Sequence, residues 1–339
     1  MTTALRRGTA LVLGATGYIG GAIARAAVEA GWRVRSLRRR AGAVGSVGDL
    51  VIEWFEGDLN RPETLQPAFG GAEVVFHAAG YYPRRSGPVA DHVAQGVRQT
   101  RGVLEAAAAA GVRRLLYTSS LTTIGRPPHG ESRLADERDL YLPGSQPAAA
   151  YYESKFAMEN EVLRACAAGL PAVVLNPTAV LGPGDTTPTL GGIILAAARG
   201  WGWAWLEAEV NLVDVRDVAA AHLAAVDRGE IGQRYIVGGH NVPLRQAMTT
   251  LASLAGVPEP RFPIPMALLD GLGWVSDRLP WLALLGNHLR TVRDWQGYDV
   301  SRARRVLGLA PRPLEATLAD MLDGYAERGW IKRKASVVG

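Results

Sequence analysis

The chain has 339 residues, 48% hydrophobic, 20% charged and 7% aromatic, enough to bury a core and too apolar for an unfolded tail. Its formal charge is +5, but the 37 basic residues include only Lys155, Lys332 and Lys334 as lysines, and the arginines are scattered except over 33–40, so a nucleic-acid surface is disfavoured. One cysteine, Cys166, excludes a disulfide framework and a multi-cysteine metal site; no apolar run reaches the ~18 residues of a membrane span, and no secretion signal is visible, so the chain reads as cytoplasmic.

From Thr9 onward, short apolar runs at 10–13, 34–37, 51–55, 74–78 and 115–118 predict strands. Longer segments at 18–30 and 89–110 predict helices between them, and further strands are expected at 172–175 and 234–237. Several strands are apolar on successive residues, as helices on both faces of a parallel sheet require. The rhythm implies a doubly wound, Rossmann-type α/β fold with right-handed crossovers. Past 181 the sequence becomes rich in Gly, Pro and Trp, and 244–330 reads as mainly helical. Residues 1–180 and 211–240 are therefore assigned to a nucleotide-binding domain, and 181–210 with 241–339 to a smaller substrate-binding domain.

Between the first strand and the first helix lie Gly14, Gly17 and Gly20, spaced G-x-x-G-x-x-G. Such a turn gives backbone freedom at the first glycine, close approach to a pyrophosphate at the second and helix-on-strand packing at the third. A phosphate there meets the free amides and positive end of a helix. Dinucleotide sites of this topology place an acidic residue at the end of the second strand to bind the ribose 2′-hydroxyl, but here that end reads Arg38, Arg39, Arg40. A guanidinium binds a 2′-phosphate that a carboxylate would repel, which favours NADP(H) over NAD(H). Asp58, after the third strand, is a candidate acceptor for the adenine amino group.

Tyr151 and Lys155 stand at i, i+4 spacing at the start of a helical segment, on one face. A phenol needs help to exchange a proton at neutral pH, and a neighbouring ammonium is expected to lower its pKa by favouring phenolate. Some thirty residues earlier, the hydroxyls of Thr118, Ser119 and Ser120 fall at the C-terminal end of the fifth strand, the edge where open parallel sheets collect ligands. They could equally cap the turn that follows.

These motifs, together with Gly57-Asp58-Leu59, Phe76-His77-Ala78-Ala79-Gly80, Asn176-Pro177-Thr178 and Val213-Asp214-Val215-Arg216-Asp217, resemble the extended short-chain dehydrogenase/reductases over nearly the whole chain. The resemblance is strongest to the dihydroflavonol-4-reductase-like branch of the epimerase/dehydratase superfamily. It implies that Ser120 orients a substrate carbonyl, Tyr151 is the acid or base, and Lys155 tunes it and holds the nicotinamide ribose. It also implies cofactor contacts at Thr16, Tyr18 and Ile19 in the glycine turn, at Arg38, Arg39 and Leu59, and at Ala78, Ala79 and Pro177. Four departures narrow the reading. Gly96 replaces the relay asparagine of relatives, Leu121-Thr122-Thr123 lacks the acid and base of dehydratases, Val210 replaces an arginine for sugar diphosphates, and Gly125 replaces the asparagine that plant reductases set near the flavonoid.

Trp201, Trp203 and Trp205, with Tyr81 and Tyr82, suggest a flat, apolar ketone or aldehyde as the small-molecule substrate, core or subunit contact being the plain alternative. The apolar stretch 264–285 reads first as a core helix or a homodimer surface and second as a membrane-surface contact. His77 has no second histidine at ligand spacing and reads as structural, with no metal expected. A sugar-nucleotide epimerase with tightly held NAD(P) is the second functional reading.

Overall fold

The computed structural model describes residues 7–83, 87–145, 150–185, 190–265 and 295–332. They divide into two compact units: 1–178 with 216–237 and 299–310, and 179–215 with 238–298 and 311–339.

The first unit is built on a seven-stranded sheet. Its strands are β1 (Thr9–Leu13), β2 (Arg33–Arg38), β3 (Glu53–Glu56), β4 (Val74–His77), β5 (Arg114–Thr118), β6 (Ala172–Pro177) and β10 (Arg234–Val237). All pair in parallel, in the order β10-β6-β5-β4-β1-β2-β3. This is the doubly wound arrangement, whose order reverses between β1 and β4. β1, β4 and β6 are buried at every position, so no polar alternation marks them. Leu11, Leu13, Val75, Leu115, Tyr117 and Val174 pack against Val103, Leu104 and Ala107 of α3 (Val89–Ala109) and Met158 and Val162 of α4 (Ala150–Ala167). Emptying one such position, as in Leu115→Ala, removes about 2–5 kcal/mol of stability. α1 (Tyr18–Glu29) crosses from β1 to β2, the short α2 (Gln66–Phe69) precedes β4, and α6 (Val215–Arg228) precedes β10.

β3 begins two residues later than expected, because Val51 is 91% exposed and pairing starts only where Glu53 meets Arg35.

The second unit holds a three-stranded sheet, β7 (Ala179–Leu181) parallel to β9 (Glu209–Asp214), which is antiparallel to β11 (His240–Pro243). A two-stranded pair joins β8 (Ala204–Leu206) to β12 (Phe262–Ile264). Leu181, Ile194, Leu212, Val242, Leu251, Leu318 and Leu322 form its core, drawn from these strands and from α5 (Leu190–Ala196), α7 (Leu244–Ala255) and α9 (Leu314–Glu327).

Residues 211–240, expected to return as one piece to the first domain, are split. β9 is hydrogen-bonded to β7 and β11 and belongs to the second unit, while β10 extends the large sheet beside β6. The segment 299–310 departs from expectation in the other direction. It carries α8 (Ser301–Leu307), whose Arg302 binds Gln233 at 2.6 Å and lies over the Tyr235 ring, and so joins the first unit. The stretch 264–285 lies outside the described residues from 266 onward. Among the described residues, no helix is long and apolar enough to cross a membrane.

Candidate active site

Every catalytic and coenzyme candidate lies in the first unit, at the C-terminal ends of β1, β4, β5 and β6, or on α1, α4 and the β2 and β3 ends, whereas Trp201, Trp203 and Trp205 lie in the second. The glycine turn shows why its spacing is fixed. Gly14 has φ +93°, and a β-carbon there would lie 3.0 Å from the backbone of Ala78 and of Ala79. A β-carbon on Gly20 would lie 2.1 Å from the Gly14 carbonyl oxygen, which itself accepts the Gly17 N–H at 2.8 Å. Gly17 caps α1 without a side-chain hydrogen bond, and the first turn carries no acidic residue that would repel an anion at its amides. Thr16 is exposed, and Tyr18 and Ile19 are half-buried on that first turn. This bare cradle, at the switch point of the sheet, fits the pyrophosphate of a dinucleotide.

At the far end of β2, the Arg38 guanidinium lies 5.5 Å from the Trp54 ring centroid, and Arg39 and Arg40 are exposed. The loop beyond them is docked on the glycine turn. A β-carbon on Gly45, whose φ is +58°, would lie 2.4 Å from the Thr16 carbonyl oxygen, and Arg25 of α1 forks onto Asp49 at 2.7 and 2.8 Å. Asp58 sits in a turn whose Oδ1 accepts the Asn60 N–H and amide, both at 3.0 Å, with Leu59 packed on the core. Asn60 in turn is held by Gln95 and Gln99 of α3.

Two of the three candidate catalytic groups touch, and the third lies one helical turn along α4 from Tyr151. Tyr151 Oη donates to Ser120 Oγ at 3.4 Å. Ser120 also caps a 3-10 turn, Leu121–Thr123, by accepting the Thr122 N–H at 3.2 Å, as the capping reading of that hydroxyl expects. The start of α4 is pinned by Glu153, which accepts from Tyr141 Oη at 2.8 Å and the Gly144 N–H at 2.7 Å. Lys155 is 8% exposed, and its Nζ would lie 2.9 Å from a β-carbon placed on Gly80. A side chain on the chain after β4 would thus displace the amine. Pro177, buried at the end of β6, closes the row of strand ends opposite Val237 of β10.

The electrostatics correct one expectation. Burial pushes the Tyr151 phenol up to about 12, with the nearby Tyr82 phenol adding to the rise and the Ser120 hydrogen bond opposing it. The expected lowering by Lys155 is not found: the Ser120 hydrogen bond is what opposes the rise, and desolvation penalises the phenolate. Lys155 is itself brought down to about 8 by burial, against the opposing pull of Glu159. Tyr151 is therefore a neutral phenol, a proton donor rather than a ready base.

Of the two tyrosines expected on the substrate side one borders Tyr151, and one side chain the sequence did not single out, Glu159, joins the site. The Tyr82 ring lies 4.8 Å from that of Tyr151, and Tyr82 is 36% exposed, while neighbouring Tyr81 is anchored to His92 Nδ1 at 2.7 Å. Glu159 lies one turn beyond Lys155, and its i, i+4 spacing was the available signal. The family departures acquire physical reasons. A β-carbon on Gly125 would lie 2.2 Å from the Leu140 carbonyl oxygen, so that position has no room for an asparagine, and one on Gly96 would press on the Met158 side chain, 3.0 Å from its Sδ. His77 is buried with its ring edge-on to Tyr117, and burial with the Lys155 charge lowers its pKa to about 3. Trp201 and Trp203 are 77% and 64% exposed, so they are not core residues, and Trp205 lies under the Arg245 guanidinium. Cys166 is half-buried, its thiol on the Ala172 carbonyl. Among the described residues, no cluster of His, Cys, Asp and Glu is arranged to hold a metal.

Comparison with known proteins shows where this sequence and fold recur. Residues 10–238 match the model of the NAD dependent epimerase/dehydratase family. The chain is 34% identical to sterol demethylase protein B of Methylococcus capsulatus, covering 95% of this chain and 100% of that protein. It is also 34% identical to a protein of Synechocystis sp. named for dihydroflavonol 4-reductase, covering 95% of each. The solved structure of gox2253 superposes with a TM-score of 0.83 at 33% identity, over 96% of this chain and 100% of that one.

Proposed function

The chain belongs to the NAD dependent epimerase/dehydratase family, as an oxidoreductase of the extended short-chain dehydrogenase/reductase type that uses NAD(P), and from that premise we propose that it is an NADP(H)-dependent reductase of a bulky, apolar ketone or aldehyde. The observation that carries this reading is the Tyr151 phenol donating to Ser120 Oγ at 3.4 Å, with Lys155 one helical turn along the same face.

The reduced nicotinamide, when bound, supplies the hydride that reaches the carbonyl carbon. Gly14, Thr16, Gly17, Tyr18, Ile19 and Gly20 hold the pyrophosphate, and Asp58, Leu59, Ala78, Ala79 and Pro177 border the same sheet edge. Arg38, stacked on Trp54, and Arg39 take the 2′-phosphate. Ser120 and Tyr151 hydrogen-bond the carbonyl oxygen, where negative charge develops, and Tyr151 gives up its proton to it. The Lys155 ammonium stabilises the phenolate that remains and holds the nicotinamide ribose. Tyr82, whose ring borders Tyr151, supplies an apolar wall. The sterol in the name of the Methylococcus relative is in keeping with a lipophilic substrate.

The test is NADPH oxidation with a panel of aromatic and steroidal ketones. Turnover is expected, and Tyr151→Phe should lower kcat about 10²-fold or more. A near wild-type rate in that variant removes Tyr151 from the role. Interconversion of nucleotide sugars without net NADPH consumption would favour the epimerase reading instead.

A further inference from the structure

Beneath Ser120 and Lys155 lies a buried polar knot that the catalytic reading does not use. Its centre is Glu159, 3% exposed. One carboxylate oxygen accepts from Ser119 Oγ, from Thr123 Oγ1 at 2.7 Å and from Asn176 Nδ2 at 2.7 Å. The other lies 2.7 Å from Nε of Arg234, whose side chain is equally enclosed. Arg234 then donates to the Thr123 carbonyl at 2.9 Å and the Glu137 carbonyl at 3.1 Å. Asn176 Nδ2 and Thr123 Oγ1 also reach the backbone carbonyl of Ser120, at 3.3 and 3.0 Å. Four separate pieces of chain meet on one carboxylate: the β5 end, α4, β6 and β10.

Burying a charged pair is costly unless its remaining hydrogen bonds are satisfied, and here the shared carboxylate oxygen takes three of them. An ion pair serving only as core filling could be replaced by apolar side chains at little cost. What the knot does specifically is fix the backbone of Ser120 to the helix that carries Tyr151 and Lys155. We propose that Glu159 is the positioning residue of the site, locking Ser120 onto the Tyr151–Lys155 helix and supplying the counter-charge of the buried Lys155 ammonium. The inference rests on the catalytic reading for its purpose, though not for its test.

The groups around Lys155 leave Glu159 in that role. On its own helix stand Tyr151 and Glu159, with His77 at the end of β4, while Tyr117 at the end of β5 feels both Glu159 and Tyr151. Tyr151 and Tyr117 are pushed up as phenols and His77 is held down as an imidazole, so all three are uncharged near neutrality. The charges left are Glu159 and, behind it, Arg234. The Glu159 carboxylate raises the Lys155 pKa against the burial that lowers it.

Because the chain has only three lysines, labelling lysine with 13C at Cε gives a three-signal spectrum, in which Lys155→Met identifies Lys155. Titrating that signal reads the amine directly, without turnover. Glu159→Gln should move its midpoint down by roughly one pH unit or more, and Arg234→Met should leave it unchanged or move it up. A merely structural pair would lose stability in both variants with no opposed movement of the lysine. Glu159→Asp, which keeps the charge and shortens the reach, guards against a variant that fails to fold. It should hold the Lys155 midpoint near wild type while kcat falls and the NADPH Kd is little changed. An unmoved midpoint in Glu159→Gln, or equal downward movement in Glu159→Gln and Arg234→Met, overturns the proposal. If Lys155 obeys Glu159 while Tyr151→Phe retains full turnover, the catalytic reading fails and this one stands.

Discussion

The Lys155 amine runs past Gly80 so closely that a β-carbon at position 80 would lie 2.9 Å from Nζ. Gly80→Ala therefore displaces the flexible end of a side chain and leaves the backbone in place. The variant should fold, with Tm within a few degrees of wild type, while kcat falls roughly 10- to 100-fold because the ammonium is out of register with the phenol. Thermal unfolding measured beside steady-state kinetics checks this. Unchanged kcat in a folded Gly80→Ala protein would show that the position of the amine does not matter.

Arg38 rests on Trp54 and Arg39 is free in solvent, at the strand end where a 2′-phosphate would sit. Arg38→Ala should raise the KM for NADPH about 10-fold or more and hardly alter that for NADH, since it deletes a charge-assisted contact to a group only one coenzyme has. Trp54→Ala should do the same by a smaller factor, ~2- to 5-fold, by releasing the stacked guanidinium. Equal losses for both coenzymes would reject the phosphate assignment.

Tyr82 presents a partly exposed ring beside that of Tyr151. Tyr82→Leu should raise the KM for aromatic ketones about 2- to 10-fold, keep kcat within a factor of a few, and leave small aliphatic ketones almost unaffected. A uniform change across the substrate panel would place Tyr82 in the scaffold rather than the substrate wall.

His77 and His222 are both buried and held below their ordinary range, to about 3 and about 4. In the unfolded chain each takes up a proton near 6.5, so between that value and the folded one the unfolded state binds more protons and stability rises with pH. Acidification from pH 7 to pH 5 should thus lower Tm by several degrees, before the carboxylates titrate. His77→Phe, which keeps the ring against Tyr117, should flatten this slope in part. A Tm independent of pH over that range would contradict the burial of both imidazoles.

The parts of the site that were legible in the sequence are those set by local spacing. Gly14, Gly17 and Gly20 are read from their intervals because the clash that demands each glycine involves a neighbour a few residues away or the adjacent strand. The Tyr151 and Lys155 pair follows from helical geometry in the same way. The direction of the Tyr151 shift was not legible, because desolvation depends on what covers the phenol, and the cation that the spacing shows takes no part in the shift. Glu159 escaped for a related reason. Its partners Ser119, Thr123, Asn176 and Arg234 are up to 75 residues away, and a carboxylate in mid-helix reads as a solvated face until the fold buries it. The placement of the start of 211–240 in the first domain failed because pairing with β7 and β11, which spacing along the chain does not show, decides which sheet receives β9.

The docking of Gly45 on Thr16, with Arg25 gripping Asp49, makes the two halves of the coenzyme groove a single mechanical piece. Altering coenzyme preference in this scaffold is therefore expected to require both parts together. An acidic β2 end grafted from an NAD-using relative has to arrive with its own loop and its own first helix, or the graft will disturb the phosphate cradle while trying to retune the ribose.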